Sequence, residues 1–547
     1  MVLPGVLFKM VDWFLYQLLA NSYYRAATKI RSFCFQNKTT TTKPIPTNQA
    51  ASYPSVSKCP LDCRATHTVV CDVNGCLLRS PSFFPFFMLV AFEGGSIPRA
   101  FVLLLVYPLL CLLNHDLALR IMVFISFCGL KLKDAQTLAR AVLPKFFLEN
   151  LHLQAYEVLA SCKRRVVVTS VPRVMVEGFL KEYLNVDVVV GSELPMVAGG
   201  RFTGLLSAAS PPVRSKVLKQ VLGDAKPDVG LIRSRNNVEE QHFLSLCKEV
   251  YVVYGEDSTE RNNGSSSVMP REKYPKPLVF HDGRLAFLPT PMASFTLFAW
   301  LPFGILLAIL RMVLAVILPI SMSRIAGAMS GIKVRVKGLE RLQNTSCDHG
   351  GERSGVLYVC THRTLLDPVV LSSALRKPLT AVTYSLSRTS EVLSPIKTVR
   401  LTRKREQDGE TMKKLLRQGD LVVCPEGTTC REPYLLRFSP LFAELAEDMV
   451  PVAVNVSVGM FYGTTASGLK CLDPIFFLMN PFPTYDLEFM GRVPREWTCS
   501  GGKSSWEVAN RIQKQLADAL GFECTNLTRR DKYMMLAGNE GSVSQNR

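Results

Sequence analysis

Hydrophobic positions along this chain fall into short apolar runs bounded by polar or turn-forming residues, and into a few much longer apolar stretches. In a first region, Thr68–Asp72, Arg165–Thr169, Val186–Val190 and Glu249–Tyr254 read as strands. In a second, the strand candidates are Lys333–Lys337, Gly355–Cys360, Leu379–Thr383, Thr398–Leu401, Leu421–Cys424 and Val450–Val456, with amphipathic stretches between them. Strands alternating with helical patterns predict an α/β fold for both regions, and a mixed or mainly parallel sheet for the second. In such folds, ligands gather where strands end and loops begin.

The long apolar stretches mark something other than a soluble core. Leu297–Ile320 would form a helix about 36 Å long, enough to cross a ~30 Å hydrocarbon layer. Arg311 near its middle opposes that, at about 2.5–3.5 kcal/mol on insertion scales. Pro302 and Pro319 keep a re-entrant or interfacial helix pair open as the alternative. A second apolar insertion runs from Phe83 to Gly129; within it Ile97–Leu113, with Pro98 and Pro108, fits a buried helix as well as a span.

The first 35 residues are apolar at helical spacing, carry the single acid Asp12 and gather Arg25, Lys29 and Arg31 near their end. A mitochondrial targeting helix and an interfacial anchor both fit that pattern. The layout expected is therefore an amphipathic or targeting segment with a Thr/Pro-rich linker (1–56) and an α/β domain (57–254) with its apolar insertion (83–129). A linker (255–295), a membrane segment (296–322) and a second α/β domain (323–547) complete it.

Composition sharpens this in two respects. The mean hydropathy of +0.16 is high for a soluble chain and predicts a membrane protein with large aqueous domains; mitochondrion or endoplasmic reticulum is the compartment expected. A net charge of +19 favours anionic partners, and with no nucleic-acid motif or basic–aromatic stripe, a lipid membrane and phosphorylated small molecules are expected rather than nucleic acid. The 16 cysteines do not form zinc-ligand spacings, so no metal site is assigned, and reduced thiols in a cytosol-like compartment are expected.

Candidate chemistry concentrates in one stretch of the second domain. In Gly355-Val-Leu-Tyr-Val-Cys-Thr-His362-Arg-Thr-Leu-Leu-Asp367-Pro, an apolar strand ends at Cys360, and Asp367 followed by Pro368 reads as an N-cap and first helical residue. His362 and Asp367 then bracket one strand-to-helix loop. An imidazole can take a proton from an alcohol while a carboxylate on its other nitrogen fixes the tautomer. Acyl transfer from a thioester to a hydroxyl needs that and no enzyme nucleophile. The same spacing at His67–Asp72 lies across a buried strand and is not expected to be catalytic.

Three further blocks follow: Ser394-Pro-Ile-Lys397-Thr-Val-Arg400-Leu-Thr-Arg403, Cys424-Pro-Glu426-Gly427-Thr428-Thr429-Cys-Arg431, and Val450-Pro451-Val-Ala-Val. In this order the four blocks resemble the glycerolipid acyltransferase family. The resemblance implies His362 as general base, Asp367 as its orienting partner and Arg403 on a substrate phosphate. Glu426, Gly427 and Thr428 would shape the acceptor site, and Pro451 an acyl-side wall. Where the family usually has Arg directly after Glu-Gly-Thr, this chain has Thr429, which leaves Arg431, Arg437 or Lys397 to make the second phosphate contact.

Tyr274–Leu285, Thr380–Arg388, Pro425–Pro440 and Phe522–Lys532 further resemble the land-plant sn-2 glycerol-3-phosphate acyltransferases. That resemblance implies acyl-CoA and glycerol 3-phosphate as substrates, no cofactor, and lysophosphatidic acid as product. It also implies an N-terminal haloacid-dehalogenase (HAD)-like domain, which Cys71-Asp72-Val73-Asn74-Gly75 fits as a nucleophile loop. Ser170 (with Thr169) and Lys219 or Lys216 match its later motifs. Asn74 stands where an acid/base Asp belongs, and Gly230–His242 brings Arg233 and Arg235 where metal-holding acids belong, so an inactive phosphatase scaffold is expected. A bifunctional acyltransferase–phosphatase releasing 2-monoacylglycerol for extracellular lipid polyesters, and a silent membrane scaffold, are the rival readings.

Overall fold

The computed structural model describes residues 53–62, 64–80, 82–207, 217–218, 220–223, 226–233, 247–254, 268–342, 355–384, 391 and 393–540. The amphipathic N-terminal segment, Lys216, Lys219, residues 234–246 and most of the polar boundary after Tyr254 lie outside the described residues. Two compact units emerge, one ending at Leu278 but including Leu288–Phe295, the other built from Val279–Phe287 and Thr296 onward. Residues 279–287, expected as linker, thus belong to the second unit.

The first unit is a parallel sheet of β1 (Thr68–Asp72), β2 (Arg164–Pro172), β3 (Val188–Ser192), β6 (Val229–Arg233) and β7 (Glu249–Val253), in the order β3-β2-β1-β6-β7. A small hairpin, β4 (Met196–Val197) with β5 (Arg201–Phe202), lies outside it. Val69, Val70 and Cys71 in central β1 are all buried, so the strand reads as a continuous apolar run, as a strand covered on both faces must. Strand β6 was not expected: Gly230–Arg233, read as part of a loop motif, is instead strand. The apolar insertion folds as helices Phe84–Leu89, Ile97–Leu112 and His115–Phe127. Ile97–Leu112 is neither wholly buried nor free: Ala100, Leu103 and Leu110 pack inward while Phe101, Leu105 and Leu109 face out.

The second unit holds a seven-stranded mixed sheet: β8 (Lys333–Lys337), β9 (Leu357–Cys360), β10 (Thr380–Thr383), β11 (Lys397–Arg400), β12 (Leu421–Val423), β14 (Met449–Ser457) and β15 (Thr484–Phe489). Their order is β11-β10-β12-β9-β14-β15-β8, and only β14 with β15 is antiparallel. Central β9 is buried throughout, whereas the edge strands β8 and β11 carry Lys333, Arg335, Lys337 and Lys397, charges that discourage edge-to-edge pairing. A parallel two-residue pair, β13 (Tyr434–Leu435) and β16 (Glu523–Cys524), ties the C-terminal segment to the body.

Among the described residues one helix, Pro291–Ile317, is long and apolar enough to cross a membrane, and a ten-residue helix, Ile320–Met329, follows it. Arg311 does not face outward from it. Its Nε–H donates to Ser330 Oγ (3.2 Å), Nη1 to the carbonyls of Leu478 and Asn480 (2.6 Å each), and Nη2 to those of Ser330 (2.5 Å) and Pro481 (3.1 Å). Trp300, about three turns earlier and so on the same face, donates from Nε1 to Met479 O at 2.9 Å. The opposite stripe stays open, with Leu306 66% and Ile317 73% exposed. The expected penalty for a charge in this helix is met by carbonyl acceptors.

Replacing Arg311 by Met would strand those acceptors, at about 1–3 kcal/mol for each left unpaired. The expected outcome is a thermal midpoint of the detergent-purified chain lowered by more than ~5 °C, with Leu306→Ala within ~1 °C of the parent. Equal midpoints for Arg311→Met and the parent would contradict the fastening described.

Candidate active site

Strands β9, β10, β11 and β12 run parallel, so the loops that follow them leave from one edge of the sheet. Thr361 fixes the first of these by exchanging hydrogen bonds with β14: its hydroxyl donates to Val454 O (2.8 Å) and accepts from Val454 N–H (2.9 Å). His362 and Asp367 then meet, Nδ1 to Oδ2 at 3.1 Å, with Asp367 fully buried and the His362 side chain 16% exposed. Asp367 is not the N-cap. It is the first helical residue of Asp367–Leu375, after Leu366, and Pro368 follows within that turn. Its carboxylate turns back instead, accepting from the amides of Arg363 (2.6 Å) and Thr364 (2.9 Å) and from Thr364 Oγ1 (2.8 Å). Thr364 Oγ1 also touches Tyr485 Oη at 2.5 Å.

The loop after β12 clamps His362 from the other side. Glu426 Oε1 accepts from His362 N–H (2.8 Å) and Oε2 from Leu436 N–H (3.0 Å), while Cys430 N–H donates to His362 O (3.0 Å). Arg363 completes the clamp, donating to the carbonyls of Cys430 (2.6 Å), Glu432 (2.9 Å) and Arg431 (3.1 Å). The sequence reading passed over Arg363, Thr364 and Tyr485; only the adjacency of the first two to His362 pointed to them.

Burial pushes the Glu426 carboxyl up, against the pull of the two amides it accepts. For His362, burial disfavours the charged ring, but the neighbouring Cys424 and the hydrogen-bonded Asp367 outweigh it and hold the imidazole above its ordinary range. A hydrogen bond with Cys360 (Sγ–Sγ 3.4 Å) and burial push the Cys424 thiol up, against the pull of His362.

A cleft of about 470 Å³ opens beside this clamp, lined by Cys424, Glu426 and Gly427 from the loop after β12 and by Arg403 from the loop after β11. Gly427 adopts φ +67, which suits glycine, and Arg403 takes φ +67 despite its side chain, its amide held by Asp408 Oδ2 at 2.8 Å. Arg437 and Arg529 also line the cleft.

The other expected residues go elsewhere. Thr428 is buried and not among the lining residues. Arg431 turns inward: Nε donates to Thr464 Oγ1 (3.2 Å), Nη2 lies 3.7 Å from Asp282, and the guanidinium stacks 4.3 Å over Tyr462. Its charge, against the burial of Asp282, helps hold that carboxyl down to about 2. Lys397 sits exposed on edge strand β11, and Pro451 lies buried in β14, paired with Val359. Of the three alternatives for a second cation, only Arg437 reaches the cleft.

In the first unit, Asp72 ends β1 and accepts from Asn74 N–H at 2.9 Å. Ser170 is in β2, and the neighbouring Thr169 is fully buried, its hydroxyl accepting from Val171 N–H. Arg233, at the end of β6, lies over the Asp72 loop so closely that a Cβ on Gly75 would sit 2.4 Å from its Cδ. Lys219 lies outside the described residues.

This second unit, with its imidazole–carboxylate pair and a cleft lined by arginines, is an acyltransferase domain: a family model described as Acyltransferase matches residues 333–459. A second, described as Glycerol-3-phosphate acyltransferase RAM2-like, HAD-like domain, matches residues 68–253. Glycerol-3-phosphate acyltransferase 1 of Arabidopsis thaliana is 51% identical, over 99% of this chain and 100% of its own. Glycerol-3-phosphate acyltransferase RAM2 of Petunia hybrida is 46% identical over 86% of this chain and 97% of its own. The chain belongs to this plant glycerol-3-phosphate acyltransferase family, and it is an enzyme. The crystal structure of the 1-acyl-sn-glycerophosphate (LPA) acyltransferase PlsC from Thermotoga maritima aligns over 42% of this chain and 81% of that one, at 14% identity and a TM-score of 0.25.

Glu426→Ala removes the acceptor of two buried amides, at about 1–3 kcal/mol each. We expect a thermal midpoint lowered by several degrees together with loss of most acyl transfer, read by differential scanning fluorimetry and radiolabelled product. A variant with parent-like stability would show that the clamp is not made through this carboxylate.

Proposed function

We propose that the protein transfers an acyl group from acyl-CoA to the middle (sn-2) hydroxyl of glycerol 3-phosphate, yielding lysophosphatidic acid and free CoA, at a membrane facing a cytosol-like compartment. The observation that carries this reading is the His362–Asp367 pair, held at 3.1 Å and joined through Glu426 to a cleft lined by Arg403. The relatives' names support the acceptor, and the resemblance of Tyr274–Leu285, Thr380–Arg388, Pro425–Pro440 and Phe522–Lys532 to the sn-2 enzymes supports the position acylated.

In this mechanism Asp367 accepts the Nδ1–H of His362, so Nε2 carries the free lone pair. Nε2 takes the proton of the acceptor hydroxyl as its oxygen attacks the thioester carbonyl. Collapse of the tetrahedral intermediate breaks the C–S bond, and the imidazolium returns the proton to the leaving thiolate. Arg403 forks onto the acceptor phosphate and sets the hydroxyl at the base. No cofactor is required. The exposed stripe of the Pro291–Ile317 helix supports a membrane position, where acyl chains are supplied.

The HAD-like unit is read as a scaffold without phosphatase chemistry. Arg233 over the Asp72 loop, with Asn74 at the acid/base position, supports this: a guanidinium there competes with any metal that the chemistry would need.

Incubating the purified chain with labelled glycerol 3-phosphate and acyl-CoA tests the reading, with positional analysis of the product. We expect sn-2 lysophosphatidic acid, and a fall of at least ~10³-fold in His362→Ala, as for loss of a general base with its positioning. Undiminished transfer in His362→Ala would refute the mechanism, and release of phosphate in Mg²⁺ would restore the phosphatase.

The pH profile carries a second expectation. The base must be neutral, and Asp367 is one of the groups that raise the His362 pKa, so kcat/KM should rise through a midpoint above the ordinary imidazole value. Asp367→Asn removes the negative charge that favours imidazolium, so the rising limb should move to lower pH while the plateau falls by ~10²–10⁴. A limb that stays in place or moves to higher pH would contradict the assignment.

A further inference from the structure

The Glu-Gly-Thr block is followed by Thr429, not a cation, and the described geometry turns its surroundings away from the cleft. Thr429 O and Oγ1 accept from the buried Lys532 Nζ at 2.6 and 3.1 Å, and Arg431 is engaged with Asp282, Thr464 and Tyr462. Neither supplies a charge to the place where a substrate anion would sit.

The cleft is nevertheless strongly cationic. Arg403, Arg405, Arg437 and Arg529 line it, against two carboxylates, Asp408 and Glu426. Both carboxylates are spent on the protein itself: Asp408 accepts from the amides of Thr402 and Arg403, Glu426 from those of His362 and Leu436. Arg405 pairs with Glu444, and Arg437 stacks 5.8 Å over Trp506.

Arg529 differs from these in how it is placed. It is the first residue of helix Arg529–Ala537, whose capping box between Thr528 and Asp531 fixes the entry of the chain. The approach to it is strapped onto the Glu-Gly-Thr loop, through β16 pairing with β13 and through Arg437 N–H donating to Leu527 O at 2.9 Å. Its guanidinium lies 4.9 Å over the Tyr533 ring. Arg403 and Arg529 line the same cleft, and burial, then the positive charge of Arg403, disfavour the charged form of Arg529. Two like charges facing one cleft repel until a dianion lies between them, and a phosphate monoester offers three oxygens to two such forks.

We propose that Arg529 is a second phosphate-binding residue of the acceptor site, standing in for the arginine that the Glu-Gly-Thr block lacks. This rests on the reading that Arg403 binds the acceptor phosphate. Phosphates of the acyl-CoA donor present the same chemistry, and the proposal commits to the acceptor.

The test uses the full-length chain, with steady-state kinetics for both substrates and competition by inorganic phosphate. Arg529→Ala is expected to raise the KM for glycerol 3-phosphate and the Ki of inorganic phosphate about 10- to 100-fold, the size of one charge-assisted contact, with kcat within about threefold. The KM for acyl-CoA should not move. If Arg403→Ala weakens both acceptor and phosphate while Arg529→Ala weakens neither, this inference is overturned and the function stands. If neither variant weakens them, the phosphate site itself is misread and the inference goes with it. A rise confined to the KM for acyl-CoA assigns Arg529 to the donor and also overturns it. Should Arg529→Ala fail to fold, Arg529→Gln, uncharged but of similar length, decides by the same kinetics at a parent-like thermal midpoint.

Discussion

The structure of the site depends on one buried carboxylate. Asp367 accepts from the Arg363 and Thr364 amides and the Thr364 hydroxyl, and meets the imidazole of His362 with the same group. A fully buried carboxylate is costly unless its acceptors are filled, and here the backbone of its own loop fills them. The loop therefore closes around the charge in one arrangement, and the ring it orients inherits that rigidity. A His–Asp pair held only through side chains would leave the imidazole free to swing; this one is fixed by the chain path on both sides of it.

Glu426 repeats the device across the site, and the two together explain why the cleft is cationic. Asp408 and Glu426 line the cleft, yet their oxygens are directed at backbone amides. These two acids serve as internal fasteners, and of the lining arginines Arg405 pairs with Glu444 outside the cleft lining. The cationic character of the cleft is thus a by-product of how the loops are held, with Arg403 and Arg529 both among its lining residues.

The sheet was largely legible in the sequence because its inner strands are covered on both faces, and uninterrupted runs such as Leu357–Cys360 have few other uses. Strand β15 is not legible as an apolar run, because Thr484, Asp486 and Glu488 take its half-buried positions between the buried Tyr485, Leu487 and Phe489. β6 is masked in the sequence because Gly230 interrupts its short apolar run and Arg233 ends it. At the site, residue types and order pointed to His362, Asp367 and Arg403, since chain order after a strand fixes which edge a loop leaves from. Direction was not legible. Asp367-Pro368 has the composition of a helix cap, but the carboxylate turned towards the preceding loop, where three donors outcompeted the cap position. Arg431 and Arg437 were equivalent in sequence, and only the folded loop turned the first towards Asp282 and the second towards the cleft.

Arg311 brings the apolar helix into the same framework. A carboxylate partner would have made an ion pair whose burial roughly cancels its attraction, whereas carbonyl oxygens accept the guanidinium without a second charge to desolvate. Three of those carbonyls belong to Leu478, Asn480 and Pro481, ahead of β15 in the chain. Tyr485 in β15 touches Thr364, and Thr364 donates to Asp367, which holds His362. A continuous series of hydrogen-bonded and covalent links thus joins the middle of the apolar helix to the base. Spatial continuity of this kind does not by itself transmit a signal. It does make helix and base parts of one body, so a lipid layer that fixes the exposed stripe of the helix also fixes the height of His362 relative to that layer. On the proposed reading, in which the acyl chain arrives from a membrane and the acceptor from water, that height is the geometric quantity the fold most needs to hold constant.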